Sequence, residues 1–309
     1  MSINFKGLEQ NAGYGGYSLS DQMLTNLRFW ISQNLLMAGA YSIYRRGQDS
    51  FFANDESNLR NVSDTRFPDR AVYEGVGREW VFESGVSIPE DIFRVSGIYI
   101  DGNFVAVDDT GPSRHHVDYL HGRILFDQSQ NPTSIISANY VSRAIFVGFA
   151  DSRTFQSLLL ESVEEFLSVA GVPSGTASRD EQIWLPSVFI EEQNTKARGL
   201  QLGGGQIQEK TIVLHIFADT PRDRNFLLNT LSFQNRSAFW MGDLNSIPPL
   251  FDEFGDVLPG TTNFIDLINT YPYRKLRIMD GTCKVINSLN TKLFRGQVRW
   301  NIEVDLGGI

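Results

Sequence analysis

Residues 94–149 read RVSGIYIDGNFVAVDDTGPSRHHVDYLHGRILFDQSQNPTSIISANYVSRAIFVGF. Short apolar runs alternate with turn signals, the pattern of consecutive antiparallel strands. Ile98-Tyr99-Ile100 leads into Asp101-Gly102, a dipeptide that accepts positive φ and closes a tight hairpin, and residues 104–107 return. After a polar loop at 108–114, Val117 and Tyr119 precede a second turn at His121-Gly122 and a strand over 123–126. Asn131-Pro132 breaks the chain again, and 135–141 and 144–149 supply two more strands. The stretch predicts a small antiparallel sandwich or barrel-like sheet. It specifies a fold and no chemistry.

Upstream, residues 1–20 form a Gly-rich, aromatic-dotted arm, which suits either a flexible tail or a segment that binds a neighbouring subunit. A helix is predicted over 21–37. Ser20 is its expected cap, and Leu24, Leu27, Trp30, Ile31 and Leu35 make its apolar stripe. A strand over 42–46, a long polar loop over 47–78 and a short strand at 79–82 complete the lead-in. Downstream, Phe155, Leu158, Leu159, Val163, Phe166 and Leu167 share one face of a second helix at 154–170. A linker at 174–181 follows. The rest reads as strand 183–191, broken by Pro186, then loop 194–208 and strand 210–218. A helix capped by Thr220 comes next, with Pro221 at its first position and Phe226, Leu227, Leu231 and Phe233 on its buried face. Strand 238–241, loop 247–260, a short helix at 264–268 and strands 274–279, 282–286 and 297–305 finish the chain. In the last, Val298, Trp300, Ile302 and Val304 alternate with polar residues, as in a sheet with one wet face. The predicted class is α+β: an arm (1–20), a helix plus β-rich domain (21–173) and an α+β domain with an antiparallel sheet (182–309).

At 309 residues the chain has room for two domains, and 41% hydrophobic content supports a sizeable core. Its 12% aromatic content fits strands and contact surfaces better than helical bundles. A formal net charge of −9 argues against binding nucleic acid by counterion release. Cys283 is the one cysteine, which excludes an internal disulfide and a cysteine-based zinc site within one chain. The N-terminus has no basic region followed by an apolar run, so no signal peptide is expected. No window approaches the ~18 apolar residues of a membrane-spanning helix.

Few residues hint at chemistry. His115, His116 and His121 with Asp118 could bind a transition metal, but neighbours on a strand point to opposite faces, and the competing reading is a solvated loop. Gly203-Gly204-Gly205 lacks the residues of a nucleotide loop and reads as a flexible turn. Asp243, Asp252, Glu253 and Asp256 could do acid–base work or hold Ca²⁺, but no Asp-x-Asp-x-Asp-Gly loop accompanies them, and solvated acidic turns are the simpler reading. Cys283 has no sequence-level base partner. Lys292, Arg295 and Arg299 form a small basic cluster that could meet a phosphate or an acidic neighbour, or be a salt-bridged strand face. No catalytic, cofactor or metal residue is assigned.

Several phrases carry a resemblance: GREWVFESGV (77–86), VSGIYIDG (95–102), VDYLHGRILFD (117–127), ISANYVSRAIFV (136–147), LHIFADTPRDRNFLLNTL (214–231) and GQVRWNIEVD (296–305). Together they resemble virion structural proteins of tailed bacteriophages, of the head–tail connection. The resemblance implies a non-enzymatic ring, hexameric or dodecameric, joining portal or adaptor proteins to the tail tube or sheath, with DNA only as passing cargo and no membrane partner. The second half is similar in outline to tail-terminator domains. The family offers no catalytic residues to carry over. The 114–121 and 199–205 loops have no counterpart in it. Two other readings stay open: a baseplate or fibre-attachment protein, and a carbohydrate-binding or glycan-hydrolysing β domain.

Overall fold

The structure, a computed structural model, describes residues 17–47, 57–89, 92–163, 185–199, 205–260 and 263–308. Most of the expected arm, the 174–181 linker and Gly203-Gly204 lie outside the described residues. The fold is α+β, and it divides into two compact units. The small-sheet unit takes Asn34–Ala144 and Pro248–Asn263; the large-sheet unit takes the chain through Gln33, Ile145–Ile247 and the chain from Phe264 onward. This differs from the expected domains 21–173 and 182–309. The first helix as far as Gln33 and the strand at 146–149 lie in the large-sheet unit, and the Pro-rich loop lies mostly in the small-sheet one.

Helix α1 (Leu19–Met37) begins the described elements. Its cap is Ser18 rather than Ser20: Ser18 Oγ accepts the Asp21 N–H at 3.1 Å, and Asp21 Oδ2 accepts the Ser18 N–H at 3.1 Å. Leu27, Ile31 and Leu35 of the expected stripe are buried, while Leu24 and Trp30 are half-buried. Trp30 stacks on Phe239 at 4.6 Å and meets the Trp300 edge at 6.3 Å.

The small-sheet unit holds β1 (Tyr41–Tyr44), β2 (Arg60–Val62), β3 (Ala71–Glu74), β4 (Gly97–Ile100), β5 (Asn103–Ala106), β6 (His115–Asp118), β7 (Arg123–Phe126), β8 (Ile136–Ala138) and β9 (Tyr140–Arg143). They pair antiparallel in three sheets, ordered β2-β3-β7-β6, β5-β4-β8 and β1-β9. The Asp101-Gly102 turn joins β4 to β5 with φ of 48° and 90°, the positive values that an Asp-Gly pair tolerates. The expected loop at 47–78 contains β2 and β3 instead. The expected strand at 79–82 makes only a bridge from Trp80 to Ser142. The expected single strand at 135–141 breaks at Asn139, so β8 and β9 serve different sheets. One core joins the three sheets through Trp80, Tyr140, Ile98, Val117 and Phe126, with Trp80 stacked on Tyr140 at 4.4 Å.

The large-sheet unit holds β10 (Phe146–Phe149), α2 (Arg153–Val163), β11 (Ser187–Gly199), β12 (Gly205–Ala218), α3 (Pro221–Ser232), β13 (Ala238–Gly242), α4 (Phe264–Thr270), β14 (Pro272–Ile286) and β15 (Phe294–Gly308). Its sheet runs β10-β11-β12-β15-β14-β13, with only β10 and β11 parallel. The expected loop at 194–208 is mostly strand, and the strands expected at 274–279 and 282–286 are one, kinked by a register shift between Ile278 and Asp280. The alternation read in 297–305 holds: Val298, Trp300, Ile302 and Val304 are buried, while Arg299, Asn301 and Asp305 are exposed. Thr220 caps α3 as expected, accepting the Asp223 N–H at 3.1 Å, and Pro221 opens it. Leu227, Leu228 and Leu231 form its buried face, whereas Phe226 and Phe233 point to solvent. The Trp300 indole N–H donates to the Leu231 carbonyl at 3.1 Å, which pins α3 to the sheet. On the opposite face α2 sets Phe155 and Leu158 against Phe189 and Phe217.

Candidate functional site

The His-rich segment is not a solvated loop. His115 and His116 occupy adjacent positions of β6 and face opposite ways, as alternation requires. His115 is 2% exposed, with Nδ1 3.0 Å from the Ser113 carbonyl, and burial lowers its pKa. His116 stacks on Phe254 at 4.0 Å and sets Nε2 3.3 Å from Asp127. His121 alone reaches Asp118, with Nδ1 at 2.9 Å. Among the described residues no three His, Cys, Asp or Glu side chains are placed to hold a metal ion.

What surrounds His121 is a buried ionic cluster. Asp118 and Arg123 are opposed across β6 and β7, and Arg66 bridges Asp118 at 2.7 Å and Asp64 at 2.6 Å. Arg123 donates to Asp64 at 2.7 Å and pairs with Glu74 at 3.4 Å, and Arg78 meets Glu74 at 3.4 Å. Burial alone would favour the neutral acids. For Asp64, the hydrogen bonds from Arg66 and Arg123 outweigh it and lower the pKa to about 2. Asp118 is lowered likewise, burial being outweighed by His121 and Arg66. The Arg66 guanidinium is raised, its two carboxylate partners overcoming its own burial. Each charge is matched by an opposite one, so the arrangement suits holding β-strands and loops in register. The sequence signal was the placement of Glu74 and Arg123 at the ends of apolar strands, which demands partners.

The candidate carboxylates are occupied by turns. Asp243 accepts from the Asn245 N–H at 3.1 Å and the Ser246 hydroxyl at 2.7 Å. Asp252 accepts the Phe254 and Asp256 N–H groups at 2.8 and 2.9 Å. Burial raises the Asp256 pKa against the Val257 hydrogen bond, and Glu253 is exposed. Of the basic cluster, Arg295 is half-buried over the Phe217 ring and donates to Ser162 at 2.8 Å, while Lys292 and Arg299 are exposed. Burial lowers the Arg295 pKa. Cys283 is exposed on β14.

The features that sequence reading missed lie at the margins of the large sheet. β10 pairs with β11 only over Ser187–Ile190; no described strand pairs with the outer side of β11 from Glu191 onward. β13 pairs with β14 only as far as Arg277, with Arg236 and Ser237 bonding Ile278; no described strand pairs with the outer side of β14 beyond it. Along that margin Met279, Thr282, Cys283, Lys284 and Val285 are exposed. The two open segments sit at opposite ends of one sheet, because β14 past Ile278 lies beside Arg295–Ile302 and β11 past Glu191 runs alongside the β12 segment that faces Arg299–Gly308.

Where β10 ends, the side of β11 opens into a cleft of ≈ 850 Å³ whose wall includes Asp21, Asp151, Glu191 and Glu192. Glu192 binds the buried Lys210 ammonium at 2.7 Å, which also donates to Ser20, and the Glu191 carboxylate accepts from His215 Nε2 at 2.7 Å. Burial lowers the His215 pKa against the attraction of Glu191. Between these margins the face that carries α2 also has polar rows: Thr211 donates to Asn301 at 3.2 Å, and Asn301 donates to Asp280 at 2.7 Å.

No protein-family model matches the chain, and no curated protein matches it. No helix among the described residues is long and apolar enough to cross a membrane.

Proposed function

We propose that this chain is a non-enzymatic virion structural protein of a tailed bacteriophage. It assembles as a homo-oligomeric ring at the head-to-tail interface, of neck or tail-terminator type, and joins portal or adaptor proteins to the tail. The phage assignment rests on the six phrases quoted above. The observation that carries the assembly reading is the pair of open margins on the large sheet. An unpaired strand edge presents a row of backbone donors and acceptors to any partner strand. Two such edges at opposite ends of one sheet suit head-to-tail addition of copies, which closes into a ring when the rotation per copy divides the circle. The net charge of −9 favours passage of DNA over its retention. Mass photometry and negative-stain imaging of the purified protein test the reading. The expected particle has six or twelve chains of 34.8 kDa and a central opening. A protein that stays monomeric at tens of micromolar contradicts it.

A further inference from the structure

We infer that the open margin of β11 receives the open margin of β14 from a second copy of this chain, so that the large sheets of neighbouring copies join edge to edge. The inference rests on the assembly reading above and specifies its interface.

The margins match in length: Met279–Ile286 on one side and Glu191–Gly199 on the other. Each carries a register shift near its start, between Ile278 and Asp280 in β14 and between Glu192 and Asn194 in β11, after which the backbone runs regularly over Asp280–Ile286 and Asn194–Gly199. A bulge and a single lysine can protect an edge from pairing. Here the regular run beyond each bulge remains long enough to form a ladder.

The charges match as well. Lys284 lies opposite Gln297 on the polar face of the sheet. Glu191, opposite Val213 and so level with Arg299, lies on that same face of β11, beside the acidic cleft where β10 has turned away. A joined sheet brings the exposed Lys284 ammonium toward the half-exposed Glu191 carboxylate. Joining β14 to β14 across a two-fold axis is the competing arrangement: it would bring Lys284 toward Asp280 of the other copy and leave the β11 margin uncovered. The opposite face matches too: Cys283 lies opposite Val298, and Thr195 opposite Lys210, both on the side that carries α3.

Cys283 serves as a reporter because it is exposed and has no other cysteine in the chain to pair with. Thr195→Cys places a second thiol on the receiving margin, and diamide oxidises facing thiols to a disulfide. The full-length Thr195→Cys protein should give a ladder of dimers, trimers and higher species on non-reducing gels. The natural chain and Thr195→Cys/Cys283→Ser should stay monomeric on the same gel. Lys284→Glu should raise the concentration for half-assembly about threefold to tenfold, and Lys284→Glu/Glu191→Lys should restore it. Circular dichroism melting of each variant excludes misfolding as the cause. A ring that persists without a ladder, for Thr195→Cys and also for Gln193→Cys and Lys196→Cys, overturns the edge pairing and leaves the ring reading standing. A dimer of the natural chain through Cys283 overturns it by showing β14 joined to itself. A ladder on open filaments supports the pairing and removes the ring.

Discussion

Asp64 keeps its charge in the folded chain because Arg66 and Arg123 bind it from two sides. A carboxylate whose folded pKa lies below its unfolded value stabilises the fold above pH about 4 and loses that contribution as the pH falls toward about 2. The expected contribution is roughly 1–2 kcal/mol for Asp64 after allowance for solvent screening, and Asp118 adds to it with the same sign. Asp64→Asn should cost about 3 kcal/mol at pH 7, because it leaves arginine charge poorly matched. It should also flatten the fall in urea midpoint between pH 5 and pH 2. An unchanged pH dependence would show that the cluster does not set acid stability. Gly255 belongs to the same region. Its φ is +90°, and a Cβ there would lie 2.4 Å from Asp118 Oδ1, an oxygen already held by His121. Gly255→Ala should therefore lower stability by about 2–3 kcal/mol in urea titration, more than the backbone conformation alone would cost. None of this was legible in residues 114–121 read alone, since the partners Asp64, Arg66 and Glu74 come from other segments.

At the scale of elements, local signals with a single physical meaning read correctly. Thr220-Pro221 fixed the start of α3, Asp101-Gly102 fixed a hairpin, and strict alternation fixed β15. Thr220→Ala should cost about 1 kcal/mol, and Leu231→Ala about 2–5 kcal/mol, in denaturant titration. Phe233→Ser should leave the isolated chain's stability within about 0.5 kcal/mol, because that ring is 80% exposed. The α3 face was misread by periodicity because Phe226 and Phe233 are apolar yet unneeded by the core; Leu228, which fills the space over Gly296, was passed over. Polar strands were missed for a related reason. β11 past Glu191 and the start of β12 carry Gln, Asn, Lys and Glu on a solvated sheet, so no apolar pattern marks them. The register shift at Met279 likewise split β14 in the sequence reading, since a bulge interrupts the period of two.

For the molecule as a whole, the two units draw their residues from interleaved parts of the chain. A boundary placed by composition near residue 174 could not find that, because contact between segments distant in sequence leaves no local trace. The ionic cluster lies wholly in the small-sheet unit, so acidification should unfold that unit before the other. Hydrogen exchange along a pH series should show amides of β3 and β7 losing protection at a higher pH than those of β12 and β15; a single coincident transition would contradict this.

The margins of the large sheet matter most, because the proposed assembly joins copies through them. Hydrogen exchange followed by mass spectrometry, on the assembled particle and on the diluted chain, tests this most directly. The alternate, outward-pointing amides of 191–199 and 279–286 should exchange rapidly in the diluted chain and become protected together on assembly, while those bonded to β12 and β15 are protected in both states. If both segments exchange at the same rate in the two states, the copies do not join through these edges.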